Sequence, residues 1–205
     1  MGPVMHTTAV ESHRPSLLPG ALAAWGALSA IAAAAGLITL ERRALVPLCI
    51  AGATLALVVA YRASEPFHAA VDRVSTAAIV ALHAVRFPIG AAFIVEWTRG
   101  RLPAEWALHA GPGDMLAGAL AVPMALALRD GRPHRRALLA WNLLAFADIV
   151  SVAAHAQRIV FFSGHPESLL GLMRFPYGML PTFVVPLVIA THLLVFARLR
   201  RGVSR

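Results

Sequence analysis

Two charged residues stand where apolar sequence ought to carry none. Arg86 lies in His83-Ala84-Val85-Arg86-Phe87-Pro88, mid-way along the apolar run 74–97. Asp148 lies mid-way along another, 136–157. If each run crosses a bilayer, a charge at its centre costs from about 2.5 kcal/mol to well above 10. Counting at about 1.5 Å per residue puts the two at one level. A carboxylate on a second helix is the partner a buried guanidinium needs. Such a pair can fix helix order, or it can anchor a substrate or relay charge. The residues alone leave both readings open.

His83 lies one turn from Arg86. His192, in the run 177–197, comes within about a turn, or about 5 Å, of the same level. Two histidines at one depth on separate helices are a pattern for axial haem ligation, or for part of a smaller metal site. The plainer reading is two imidazoles bonded to neighbouring hydroxyls or carbonyls. Asn142 is a polar neighbour on another face of the 136–157 run. Asp148, Ser151, His155 and Arg158 follow at steps of three, four and three, which draws one stripe from mid-run to the outer end. That stripe would pass protons or line a vestibule, or else pack against neighbours with its long side chains snorkelling. Glu96 and Asp114 are expected near the outer ends of their runs, with Asp114 as an N-cap after the turn Gly111-Pro112-Gly113.

These residues need long apolar elements to hold them. The chain has 205 residues, 59% hydrophobic and 14% charged. A soluble domain carries about 25% charged residues, and here the charge is bunched between apolar runs at 16–40, 44–61, 74–97, 111–128, 136–157 and 177–197. The reading is an all-α polytopic bundle of six transmembrane helices. It forms a single domain over 16–200, with cytoplasmic tails at 1–15 and 201–205. The first run exceeds the 7 to 15 apolar residues of a signal core, which argues against cleavage. Pro88 should kink the third helix and free the carbonyl of Ala84 beside Arg86. The connection 99–111 is expected to be a loop with Trp106 at the headgroups. The connection 158–176 is expected to skim the outer surface. Six spans put both termini on one side. Eleven arginines fall there against six on the other, which makes that side cytoplasmic.

The net charge of +8 comes entirely from arginine, with no lysine. No basic run is interleaved with exposed aromatics, so nucleic acid is excluded as a partner; the bilayer is the partner the arginines answer. The lone Cys49 has no internal disulfide partner. There is no Gly-x-Ser-x-Gly, Cys-x-x-Cys, His-Glu-x-x-His or phosphate-cradling loop, and an enzyme is not the expected reading. A membrane hydrolase would need a third metal ligand near the two histidines, and Asp114 is expected too far out to serve. Arg86-Phe87-Pro88-Ile89-Gly90 echoes Arg174-Phe175-Pro176-Tyr177-Gly178, but at another depth, and reads as coincidence.

His83-Ala84-Val85-Arg86, Gly90, Leu102-Pro103, Gly111-Pro112-Gly113-Asp114, Trp141-Asn142, Asp148 and Pro181-Thr182-Phe183 together resemble the motifs of a group of bacterial six-span membrane proteins without assigned function. The likeness covers roughly 74–200. It implies a shared six-helix fold in a bacterial inner membrane and no activity. The expected function is small-solute or proton-linked binding or transport at a site built from Arg86, Asp148, His83, His192 and Asn142, with Ser151, His155, Asp114 and Glu96 on the outer side. The alternatives are a haem-binding redox protein ligated by His83 and His192, or an accessory subunit in which the charges only order helices.

Overall fold

The structure is a computed structural model that describes residues 17–130 and 135–202. The tail at 1–15, the last residues of the tail at 201–205 and part of the basic connection 129–136 lie outside the described residues. Among the described residues every regular element is helical. In chain order they are α1 (Leu18–Ala34), α2 (Leu45–Ala63), α3 (Glu65–Asp72), α4 (Thr76–Leu82), α5 (Arg86–Thr98), α6 (Ala104–Arg129), α7 (Arg135–Phe162), α8 (Leu170–Met173) and α9 (Val185–Arg200). Single 3₁₀ turns occupy His83–Val85 and Pro166–Leu169, and a π turn spans Leu180–Val184.

Five helical stretches are long and apolar enough to cross a membrane: α2, the α4–α5 rod Thr76–Thr98, α6, α7, and Leu180–Arg200. Helix α1 has 17 residues. That is about 25 Å of helix, somewhat short of a ~30 Å hydrocarbon core.

Prolines shape the long helices without ending them. The α4–α5 rod tightens to 3₁₀ at His83–Val85, where the missing N–H of Pro88 leaves the Ala84 carbonyl without its helical donor. Pro186 likewise strips the donor from the Thr182 carbonyl, and the Trp25 indole N–H supplies one at 3.0 Å. The Ser29 and Thr182 hydroxyls bond at the same place, and Trp25 meets Phe183 edge-on at 4.8 Å. These contacts pin α1 to the π turn.

One sequence expectation fails and another holds only in part. The fourth helix does not open at Gly111. It starts at Ala104 and carries Pro112 and Pro123 inside it, so the preceding loop is short and Trp106 is 3% exposed within the bundle. A Gly-Pro-Gly run signals a turn where water can take up the freed carbonyls; inside a packed apolar bundle the helix keeps its remaining bonds instead. The 158–176 segment lies only partly at the surface. Phe162 and Phe175 are exposed, but Leu169 and Met173 are buried, with Leu169 in the same apolar cluster as Phe93, Trp106 and Ile159. The buried part plugs that end of the bundle.

The apolar core falls into two halves. One half gathers around Phe93, Trp106 and Ile159, and the other around Val80, Leu138, Trp141 and Val195. The buried polar residues His83, Arg86, Asp114, Asn142 and His192 lie on the same helices as these two clusters. The buried face of α6 is rich in small residues, among them Ala107, Gly111, Ala117, Gly118 and Ala121, which let helices approach closely.

Candidate functional site

Close helix approach builds the site. A methyl added at Gly90 of α5 would overlap the Gly111 carbonyl and sit 2.9 Å from the Asp114 Cβ, and one at Gly118 would overlap the Phe87 backbone. With hydrogens only at these positions, α5 and α6 touch backbone to backbone. That contact carries Asp114 to Arg86. A methyl at Gly113 would occupy the place of the Asp148 carboxylate, so this glycine is the notch through which α7 delivers its acid.

Arg86 is 1% exposed and fully engaged on three sides. Its Nε donates to Asp114 Oδ1 at 2.7 Å, its Nη1 to the Ala145 carbonyl at 2.9 Å, and its Nη2 to Asp148 Oδ2. The expected Arg86–Asp148 pair is therefore present, but it is half of the site. Asp114 is neither an N-cap nor an outer-end residue. It is 4% exposed and ten residues into α6, about 15 Å from the helix end. One guanidinium faces two carboxylates, a charge imbalance of one if both acids are ionised. Arg86 is accordingly a poor anchor for an anion.

His83 and His192 do meet, with ring centroids 4.3 Å apart and a tilt of 45°. Trp141 stands edge-on to His83 at 5.2 Å, and Phe146 packs on His192 at 5.8 Å. The Asn142 amide donates to the His192 carbonyl at 3.2 Å, which turns Oδ1 to accept from His192 Nδ1 at 2.7 Å. That network makes His192 the Nδ1–H tautomer, and its Nε2 is buried without a partner. Thr191 Oγ1 lies 3.1 Å from His83 Nε2 and 2.8 to 2.9 Å from the Val188 and Leu187 carbonyls. His83 Nδ1 is also buried without a partner. Haem does not fit between these rings. An iron held by both would need a metal–nitrogen bond of about 2 Å on each side, and imidazoles in contact leave no width for it. Among the described residues no three His, Cys, Asp or Glu side chains converge on a metal position.

Above the cluster, an apolar chamber of about 100 Å³ is walled by α5, α7, the plug segment and the π turn. Arg86 and Asp114 reach its edge. Trp106 and Gln157 also line it, and Trp106 Nε1 and Gln157 Oε1 are buried with no partner. One is a donor and the other an acceptor, each expensive to leave unmade.

The outer stripe is present but runs along a seam with α6. His109 bonds Ser151 at 3.0 Å and stacks on His155 at 4.2 Å. His155 Nε2 lies 3.2 Å from the Glu105 carbonyl, and Arg158 pairs with the Glu105 carboxylate. Glu96 stands apart, in a rim pair with Arg101. Glu105 and His109 are not legible as site residues in the sequence, because Gly111-Pro112-Gly113 makes the stretch before it read as a loop. Read as helix, they lie four apart on one face, with Gly113 four further on. Arg198 is not legible either; it is 4% exposed and donates to the Val74 and Val71 carbonyls at 2.7 and 3.0 Å. There it holds the α3–α4 corner.

No curated protein and no solved structure matches the chain. One family model does match, over residues 43–200, a stretch that takes in α2 to α9 and every residue of the site. The chain belongs to that family, described as Domain of unknown function (DUF8737).

Proposed function

We propose that this is a six-span protein of a bacterial inner membrane, termini in the cytoplasm, that binds a small and largely apolar ligand and couples it to one proton. The observation that carries this reading is the two-to-one ratio of carboxylates to guanidinium in the Arg86 cluster, set at the edge of a chamber with unfilled hydrogen-bonding groups. Net charge at mid-bilayer is costly, and one proton shared by Asp114 and Asp148 removes it. The chamber suits an apolar body bearing one donor and one acceptor, for Gln157 and Trp106. The seam of His109, Ser151 and His155 offers protons a polar route from the outer rim towards Asp148.

Infrared titration of the protein in lipid tests the proton. We expect a protonated-carboxyl band that is lost in both Asp114→Asn and Asp148→Asn, because either change leaves one acid to balance one guanidinium. Proteoliposomes should show proton uptake that Asp148→Asn abolishes. If no such band exists at any pH where the protein is folded, the cluster holds no exchangeable proton and the reading fails. An accessory role would show instead as wild-type behaviour after a volume-matched apolar replacement of all three charged residues.

A further inference from the structure

A second groove lies on the opposite side of α9, away from the Arg86 cluster. It has a volume of about 560 Å³ and is walled by α1, α2, α3, α4 and α9. Its body is apolar, with Leu57, Ile79, Leu82 and Leu194 among the wall residues. One end reaches past Thr191 to Leu187. Its other end is ringed by Arg62 at the close of α2 and by Arg200 and Arg201 at the close of α9.

The three arginines are not equivalent. Arg201 is held by the Tyr61 hydroxyl at 2.6 Å and by Asp72 at 3.5 Å. Arg62 and Arg200 are exposed, and neither has an ion pair or hydrogen bond among the described residues. Among the described residues Asp72 is the one carboxylate in contact with this rim, and it is shared with His68, Arg198 and Arg201. The rim therefore carries an excess of positive charge. From Leu187 to Arg200 is thirteen residues of helix, about 20 Å, or roughly two thirds of a ~30 Å hydrocarbon core. The groove is apolar along this length and cationic at its Arg62 and Arg200 end.

We infer that this groove is a binding site for one anionic phospholipid, its acyl chain against Leu82 and Leu194 and its phosphate between Arg62 and Arg200. Charge complementarity at the Arg62 and Arg200 rim, with a long apolar body below it, selects this occupant over a detergent-like neutral lipid or a second copy of the chain. The inference rests on the membrane placement of the helices and is independent of the Arg86 cluster and its proton.

Native mass spectrometry of the full chain, released from micelles with added lipid, tests it. Phosphatidylglycerol and phosphatidylcholine of the same acyl chains are compared, with glycerol phosphate as the headgroup alone. Wild type should retain phosphatidylglycerol in preference. A basic side chain near the surface contributes about a factor of five to such binding, so R62Q with R200Q should weaken retention about 30-fold and erase the preference. Both side chains are unpartnered, so the double variant folds. A78F, which fills the groove wall, should weaken both lipids. R99Q, on an arginine at the opposite end of the bundle, should change nothing, and D148N should leave lipid retention intact. Equal retention of the two lipids by wild type, a preference that survives the double arginine change, or retention of glycerol phosphate as strong as that of the lipid would each overturn the assignment.

Discussion

Replacing Gly113 by alanine should destabilise the protein although alanine is the better helix former. Gly113 sits inside α6, where Ala in place of Gly ordinarily gains about 1 kcal/mol. Here the new methyl falls on the Asp148 carboxylate. The acid must withdraw, and the Arg86 Nη2–Asp148 bond goes with it. Breaking a buried pair costs about 3 to 5 kcal/mol. The Asp148 side chain keeps 19% exposure, which favours the lower figure. The two effects together leave a net loss of about 2 kcal/mol. Unfolding in mixed micelles measures it, with Gly52→Ala as the control. Gly52 lies in α2 with nothing within 4 Å of the added methyl, so that change should be neutral or stabilising. In an Asp148→Asn background the Gly113→Ala penalty should shrink, since the charge it breaks is already gone. Equal stabilisation by Gly113→Ala and Gly52→Ala would refute the notch.

Arg86→Met alone should cost about 3 to 5 kcal/mol by leaving two acids without their cation, and adding Asp114→Asn and Asp148→Asn should recover most of that in the same unfolding assay. Gly90→Ala forces a methyl against the Gly111 backbone and Asp114, and overpacking of about 1 to 3 kcal/mol should appear as a lowered midpoint. Asn142→Ala removes the acceptor of His192 Nδ1, at about 1 to 3 kcal/mol for the buried donor left behind. On α3, outside the long spans, partial burial alone would raise the Asp72 carboxyl, but the Tyr61 hydroxyl bond, with His68 and Arg201, holds it below the usual range. A depressed folded value gives stability that is full above the unfolded value of about 3.9 and is lost as pH falls through the folded one. Tyr61→Phe should therefore lower stability at neutral pH and flatten its fall on acidification, so that variant and wild type converge at low pH.

Much of the site is legible in one dimension because position along a long apolar helix is a matter of counting. Arg86 and Asp148 meet for that reason, and so do His83 and His192. Rotation is harder to read than depth. Asn142 sits on another face of α7 from Asp148, and what places it on His192 is the packing of α7 against α9, which a helical wheel does not contain. Asp114 is missed for a different reason. Gly111-Pro112-Gly113 ends a helix in water, while in this bundle it makes a groove through which two neighbouring helices pass their polar groups. The same misreading hid Glu105 and His109. The 158–176 segment reads as interfacial by its apolar content; Phe162 and Phe175 are exposed in keeping with that, while Leu169 turns inward to cap the bundle, which depends on its tertiary contacts.

The claim most exposed to direct test is that a single guanidinium is held by carboxylates from two other helices. Solid-state NMR distances between labelled guanidinium nitrogens and aspartate carboxyl carbons, taken in lipid bilayers, measure it. We predict dipolar dephasing of the Arg86 side chain from two carboxyl carbons, with one lost in Asp114→Asn and the other in Asp148→Asn. Dephasing from one carboxyl only, or from neither, would contradict the account.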